Sequence, residues 1–302
     1  MNPPAKTTAQ KDDDDEKTTG HVSNNPISLY MRPYLHVAIS FSTCHYLFPG
    51  RSGSGFSGDK HCGKTGFTKT RDSYDVVWKS KSVSENEAYL RQDVTLLFDN
   101  GRLYGIKTKW KENTDTIKMK EKITGEDSNY YQAISYHHGE VHNPDDQITS
   151  IQQMTYDQLY VIDSPNTSMQ SFKKAETDDE HEWERLLGHT TEQQLSYSWN
   201  QLMDHFQINK ESYTAVPLTG LEKFNHQPLP SFTQEQTNQI IGQLWEGLYK
   251  NYVVPFITAE SESETLTSFV PVILFNKQNT HLVVLYEVNG KKKRLIQQYP
   301  DF

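Results

Sequence analysis

Cysteine is scarce in this 302-residue chain, with only Cys44 and Cys62 present. Two thiols alone settle neither the compartment nor the redox state. A run of about 18 apolar residues, the length a membrane-crossing helix needs, is missing as well. The nearest candidate, Leu35 to Phe48, is too short and is interrupted by His36, Ser40, Ser42, Thr43 and His45. A basic excess is also lacking: 30 Lys and Arg stand against 39 Asp and Glu, for a net charge of -9. That balance removes the usual footprint of a nucleic-acid binder, which must neutralise phosphates. Apolar residues are few, at 34%, against roughly 45–50% in ordinary globular chains. Ser, Thr, Asn, Gln and Tyr fill the difference. Aromatic residues, with 17 Tyr, 13 Phe and 5 Trp, are nevertheless too numerous for a disordered chain. The composition is that of a folded, polar-surfaced protein.

Residues 1–30 contain Pro, Thr, Asn and Lys around an acidic block, Asp12 to Glu16, and no apolar stretch of the signal-peptide kind. Such a segment buries too little to offset its ordering entropy, so disorder is expected there. Polar tails of this type often tether a domain, which suggests an extracytoplasmic or surface-associated protein whose signal or lipid anchor is not in this chain. A cytoplasmic protein with a polar start is the alternative. Residues 31–302 form the expected globular region, with a possible sub-boundary near 164–170.

Hydrophobic periodicity then divides that region. Val37, Ile39 and Phe41 share one face at period two, as do Tyr74, Val76 and Trp78, and again Val94, Leu96 and Phe98. After Asn100-Gly101, a type I′ hairpin signal, Tyr104, Ile106, Thr108 and Trp110 continue the alternation. Ile117, Met119 and Ile123 form the next run, and residues 131–142 close an antiparallel meander. Its second face carries Lys107, Lys109, Lys118, Lys120 and Lys122, read as a solvated face or, less simply, as a surface for an anionic partner.

Thr177 with Glu180 reads as a helix capping box, followed by Trp183, Leu186 and Leu187, with Gly188 as a stop. A second helix presents Leu195, Trp199, Leu202 and Phe206. A third opens at Thr233, with Gln236 three residues later in the capping-box spacing, and carries Ile240, Ile241, Leu244, Trp245 and Leu248. Strands return at 269–275, 281–288 and 291–298 across Asn289-Gly290. The pattern predicts an α+β fold: an antiparallel sheet, meander plus C-terminal hairpins, packed against about three helices.

Three groups invite chemical readings. Gly58 to Thr65 fits the phosphate-loop pattern by letter, but no strand enters the loop and no helix follows it, as phosphate binding requires. Cys44, shortly before the glycine-rich segment Pro49 to Gly66, and Cys62, within it, read as a disulfide, as unrelated thiols, or with His45 and His61 as a metal set. His138, Glu140 and His142 fall on one face of a strand and make a possible zinc or other divalent transition-metal set. A polar strand end entering an Asn-Pro-Asp-Asp turn is the simpler account of them. No catalytic set stands in the context its chemistry needs. The expected function is therefore a non-catalytic binding or scaffold protein for an unknown protein or surface ligand, with no nucleic acid involved. A metal-dependent hydrolase on His138, Glu140 and His142 is the alternative, and nucleotide binding at Gly58 to Thr65 comes third.

Overall fold

A computed structural model describes residues 35–44, as backbone, together with 73–142, 148–164, 168–261 and 267–302. The fold is α+β, with two antiparallel sheets and three α-helices among the described residues. The first sheet contains β1 (Leu35–Cys44), β2 (Tyr74–Asp99), β3 (Arg102–Gly125), β4 (Asn129–His142), β5 (Ile148–Ile162) and β6 (Gln170–Phe172). Along one edge β2 pairs with β3, and along the other with β1 and then β4. Asn100-Gly101 makes the predicted hairpin, with φ of 47° and 77°, both positive as a type I′ turn demands.

Where two strands were expected at 104–110 and 117–123, one 24-residue strand runs through. It bends instead of breaking: Asn113 adopts a positive φ of 50°, opposite an irregularity between Val83 and Ala88 in β2. The bend is sharp. Residues 82 and 91 would stand about 30 Å apart in a straight strand, yet the Arg91 guanidinium donates to Ser82 Oγ at 2.6 Å. The sheet therefore curls, and its inner face closes on Tyr74, Val76, Trp78, Leu97, Ile123, Tyr131, Ala133, Leu159 and Val161.

Parity along the continuous strand corrects the expected lysine face. Lys107 lies inward, buried and ion-paired with Glu121, and Lys109 shares its parity. Lys118, Lys120 and Lys122 have the opposite parity and project outward. An odd-to-even step between residues 109 and 118 in one strand puts the two sets on opposite faces.

After β6 the chain forms α1 (Asp178–His205), β7 (Tyr213–Pro217), α2 (Gln234–Leu248), a π-helical turn at 249–253 and α3 (Val254–Ser261). It ends in β8 (Val272–Asn276), β9 (His281–Val288) and β10 (Lys291–Gln298). Both capping boxes, Thr177 with Glu180 and Thr233 with Gln236, are present. Gly188 does not stop its helix. It sits inside the 28-residue α1, with open space where a side chain would be, so nothing there ends the helix. The C-terminal strands do not complete the first sheet; with β7 they build a second, in the order β10-β9-β8-β7.

One core joins these layers. Val94, Leu96, Phe98, Ile106 and Ile134 on the outer face of the curled sheet meet Ile240, Ile241, Leu244, Trp245 and Leu248 of α2, together with Ile273, Phe275, Val284 and Tyr286 of the second sheet. Each fully buried aliphatic side chain here contributes about 1.5–3 kcal/mol. The other face of the second sheet, through Val272, Leu274, Val283 and Leu285, packs on Leu202 and Met203 of α1. No helix among the described residues is long and apolar enough to cross a membrane.

Candidate functional site

The inner face of the curled sheet is apolar at one end and densely polar at the other. The bend brings Ser80, Ser82 and Ser84 from the first half of β2 over Arg91, Asp93 and Thr95 from its second half. β4 adds Ser135 and His137, and all eight residues are buried. The cross-strand register fixes their neighbours: Asp93 stands opposite His137, and Thr95 opposite Ser135.

Hydrogen bonds link most of this set. Arg91 donates to Ser82 Oγ, to Ser84 Oγ at 3.0 Å and to the carbonyl of Asp115 at the bend of β3. Ser82 Oγ donates to Asp93 Oδ2 at 2.6 Å. His137 Nδ1 lies 2.8 Å from the same oxygen, and its Nε2 lies 3.0 Å from Thr155 Oγ1 on β5. An imidazole donating from Nδ1 to Asp93 accepts the Thr155 hydroxyl at Nε2. Burial lowers the Arg91 pKa, with Asp93 and then Asp115 opposing the shift. Arg91 and Asp93 are joined through Ser82, so the opposite charges sit in one network of shared hydrogen bonds.

Among the described residues, six buried polar atoms on this inner face have no hydrogen-bond partner: Trp78 Nε1, Ser80 Oγ, Arg91 Nε, Asp93 Oδ1, Thr95 Oγ1 and Ser135 Oγ. Folded proteins tolerate few such atoms, because each costs about 1–3 kcal/mol when left unpaired. The six form a buried polar cluster on one face of the sheet. It offers two donors (Arg91 Nε, Trp78 Nε1), one carboxylate acceptor (Asp93 Oδ1) and three hydroxyls that serve as either.

The sequence-predicted metal residues lie elsewhere. Period two turns His138 and Glu140 to the outer face, opposite to that of His137. His138 is half-buried beside Tyr136, with ring centroids 6.3 Å apart, and burial lowers its pKa while Glu140 raises it. Tyr136 stacks on Trp245 of α2 at 5.0 Å and donates to Gln152 Oε1. With Gln152 it lines an open cleft of about 660 Å³ between β5 and α2. The side chain of His142 lies outside the described residues, as do Cys62, the side chain of Cys44, and Gly58 to Thr65. Among the described residues no group of three His, Cys, Asp or Glu is placed to hold a metal ion.

Arg91, Asp93 and His137 escaped the sequence reading. The available signal was Arg91-Gln92-Asp93 set directly against Val94, Leu96, Leu97 and Phe98, a stretch apolar on both faces and hence buried on both. Charges at alternate positions of such a strand face an interior. Comparison with protein-family models, with curated proteins and with solved structures finds no match for this chain.

Proposed function

We propose that this is a non-catalytic binding protein whose curled sheet takes a small, neutral, hydroxyl-rich ligand of the sugar or polyol class. The surface-associated setting suggested by the polar N-terminal segment belongs to the same proposal. The single observation that carries the reading is the set of six unpartnered buried polar atoms on one face. An anion would gain Arg91 Nε but meet Asp93 Oδ1. A metal cation would gain Asp93 but meet the Arg91 charge. A ligand whose hydroxyls both donate and accept satisfies both, and Thr95 and Ser135, paired across the strands, offer it two more contacts. Trp78, at the apolar end, supplies a donor beside an apolar wall, the combination that suits a sugar ring.

The test is thermal melting and calorimetry against neutral monosaccharides and polyols, with phosphate, sulfate and divalent cations as comparators. Saturable stabilisation by a neutral hydroxylated compound, weakened at least about tenfold by Thr95→Val with Ser135→Ala, is the expected result (about 1.4 kcal/mol). Stabilisation by an anion or a cation alone would remove the reading.

A second reading has one observation in its favour. Thr155, His137 and Asp93 are connected as a nucleophile, a base and its orienting carboxylate would be. Against it, Met154 turns its backbone amide and carbonyl away from β4, where the Asn225 side chain meets both. Thr155, one residue on, therefore spends its own amide on the ladder to Ser135. A nucleophile of this kind needs nearby backbone donors free to hold a developing oxyanion. Failure of a fluorophosphonate probe to label Thr155 would discard this alternative.

A further inference from the structure

On the outer face of the bent sheet, lysines stand directly against lysines. Lys79 pairs across the strands with Lys120, and Lys81 with Lys118, while Lys122 extends the row opposite Val77. The first four are exposed, and like charges directly opposite one another repel. At one end of the row Lys122 binds Asp75 at 2.8 Å. A cationic strip of this density runs against a chain whose net charge is -9.

The same chain carries a matching strip of opposite sign. Asp12, Asp13, Asp14, Asp15 and Glu16 are consecutive, and residues 17–34 separate them from the start of β1. β1 enters the sheet beside the lysines, with Ala38 opposite Lys81 and Ser40 opposite Lys79. A connector of that length spans up to about 60 Å when extended, far more than the length of the lysine row. Tethering also raises the local concentration of the acidic run to about the millimolar range.

We infer that Asp12 to Glu16 docks on the face formed by Lys79, Lys81, Lys118 and Lys120. The segment is the face's own counter-charge, and any external acidic partner must displace it. Contacts of this kind between exposed charges are screened by salt, so occupancy falls steeply as ionic strength rises.

The test is zero-length carbodiimide cross-linking of the full chain, with the linked residues mapped by mass spectrometry. At about 20 mM salt, the expected links join residues 12–16 to Lys79, Lys81, Lys118 or Lys120 within monomers, and drop at least about fivefold at about 500 mM. Changing Asp12, Asp13, Asp14 and Asp15 to Asn together should leave the melting curve in place and remove most of these links. Links spread equally to Lys173, Lys210 and Lys250 would overturn the inference. So would links found only in covalent dimers, which would make a second copy the occupant, or no links from the acidic run at all.

Discussion

Asp93 Oδ2 receives two short contacts at once, from His137 Nδ1 at 2.8 Å and from Ser82 Oγ at 2.6 Å, while its second oxygen has no partner among the described residues. One carboxylate oxygen thus organises the buried network, and the other is buried beside it. The arrangement explains why two opposite charges can sit inside the sheet: each is held by hydroxyls that the bend of β2 supplies.

Removing Asp93 leaves the Arg91 charge buried without its compensating carboxylate. Asp93→Ala should therefore cost about 3–5 kcal/mol in urea unfolding. Asp93→Asn keeps the shape and one acceptor, and should cost less. An Asp93→Ala variant as stable as the parent would mean that the network is not formed as described.

Asp99, at the end of β2, supplies a pH dependence. Burial raises its carboxyl pKa to about 7, with Arg102 opposing and Asp127 reinforcing the shift. The unfolded chain releases this proton near the ordinary value of 3.8, so the folded state binds more protons between there and 7. This group's contribution is complete below the lower value and is lost as pH rises through the upper one. Asp99→Asn should raise the melting midpoint at pH 8, by about 2 kcal/mol of stability, and change little at pH 4. Scans of both proteins across that range check the sign.

Gly125 ends β3 against the ring of buried Tyr74. A Cβ there would stand 2.4 Å from Tyr74 Cζ. The Tyr74 hydroxyl is fixed by Tyr131, Asn129 and the carbonyl of Asp127, so the ring cannot swing aside freely. Gly125→Ala should destabilise by about 1–3 kcal/mol. Pairing it with Tyr74→Phe, which drops these hydrogen bonds, should recover part of that loss in a double-mutant cycle.

Asn225 replaces a neighbouring strand at one point of β5. Its side chain accepts from the Met154 amide at 3.0 Å and donates to the Met154 carbonyl at 2.7 Å. Asn225→Ala should cost about 1–3 kcal/mol and speed amide exchange at Met154, readable by hydrogen-exchange mass spectrometry.

The α+β class, both Asn-Gly hairpins, both capping boxes and the α2 stripe were legible because each is a local signal. Asn100-Gly101 needs two positive φ values, and Ile240, Ile241, Leu244, Trp245 and Leu248 need one helical face. The bend of β2 and β3 was not legible, since no glycine or proline marks residues 83–88 or 113. Everything that depends on the bend was hidden with it, including the burial of Lys107 and the meeting of Ser82 with Arg91. The neighbouring histidines illustrate the same limit. Period two separates His137 from His138, but only the curl makes the face of His137 the inner one.

The most direct measurement of the central claim is a crystal structure at about 1.5 Å of the protein soaked with the neutral hydroxylated compound that stabilises it best. The account predicts one continuous ligand density inside the curled sheet, with separate hydroxyls on Arg91 Nε and Asp93 Oδ1 and further contacts to Thr95 and Ser135. Isolated waters on those four side chains, with the compound bound elsewhere or not at all, would contradict it.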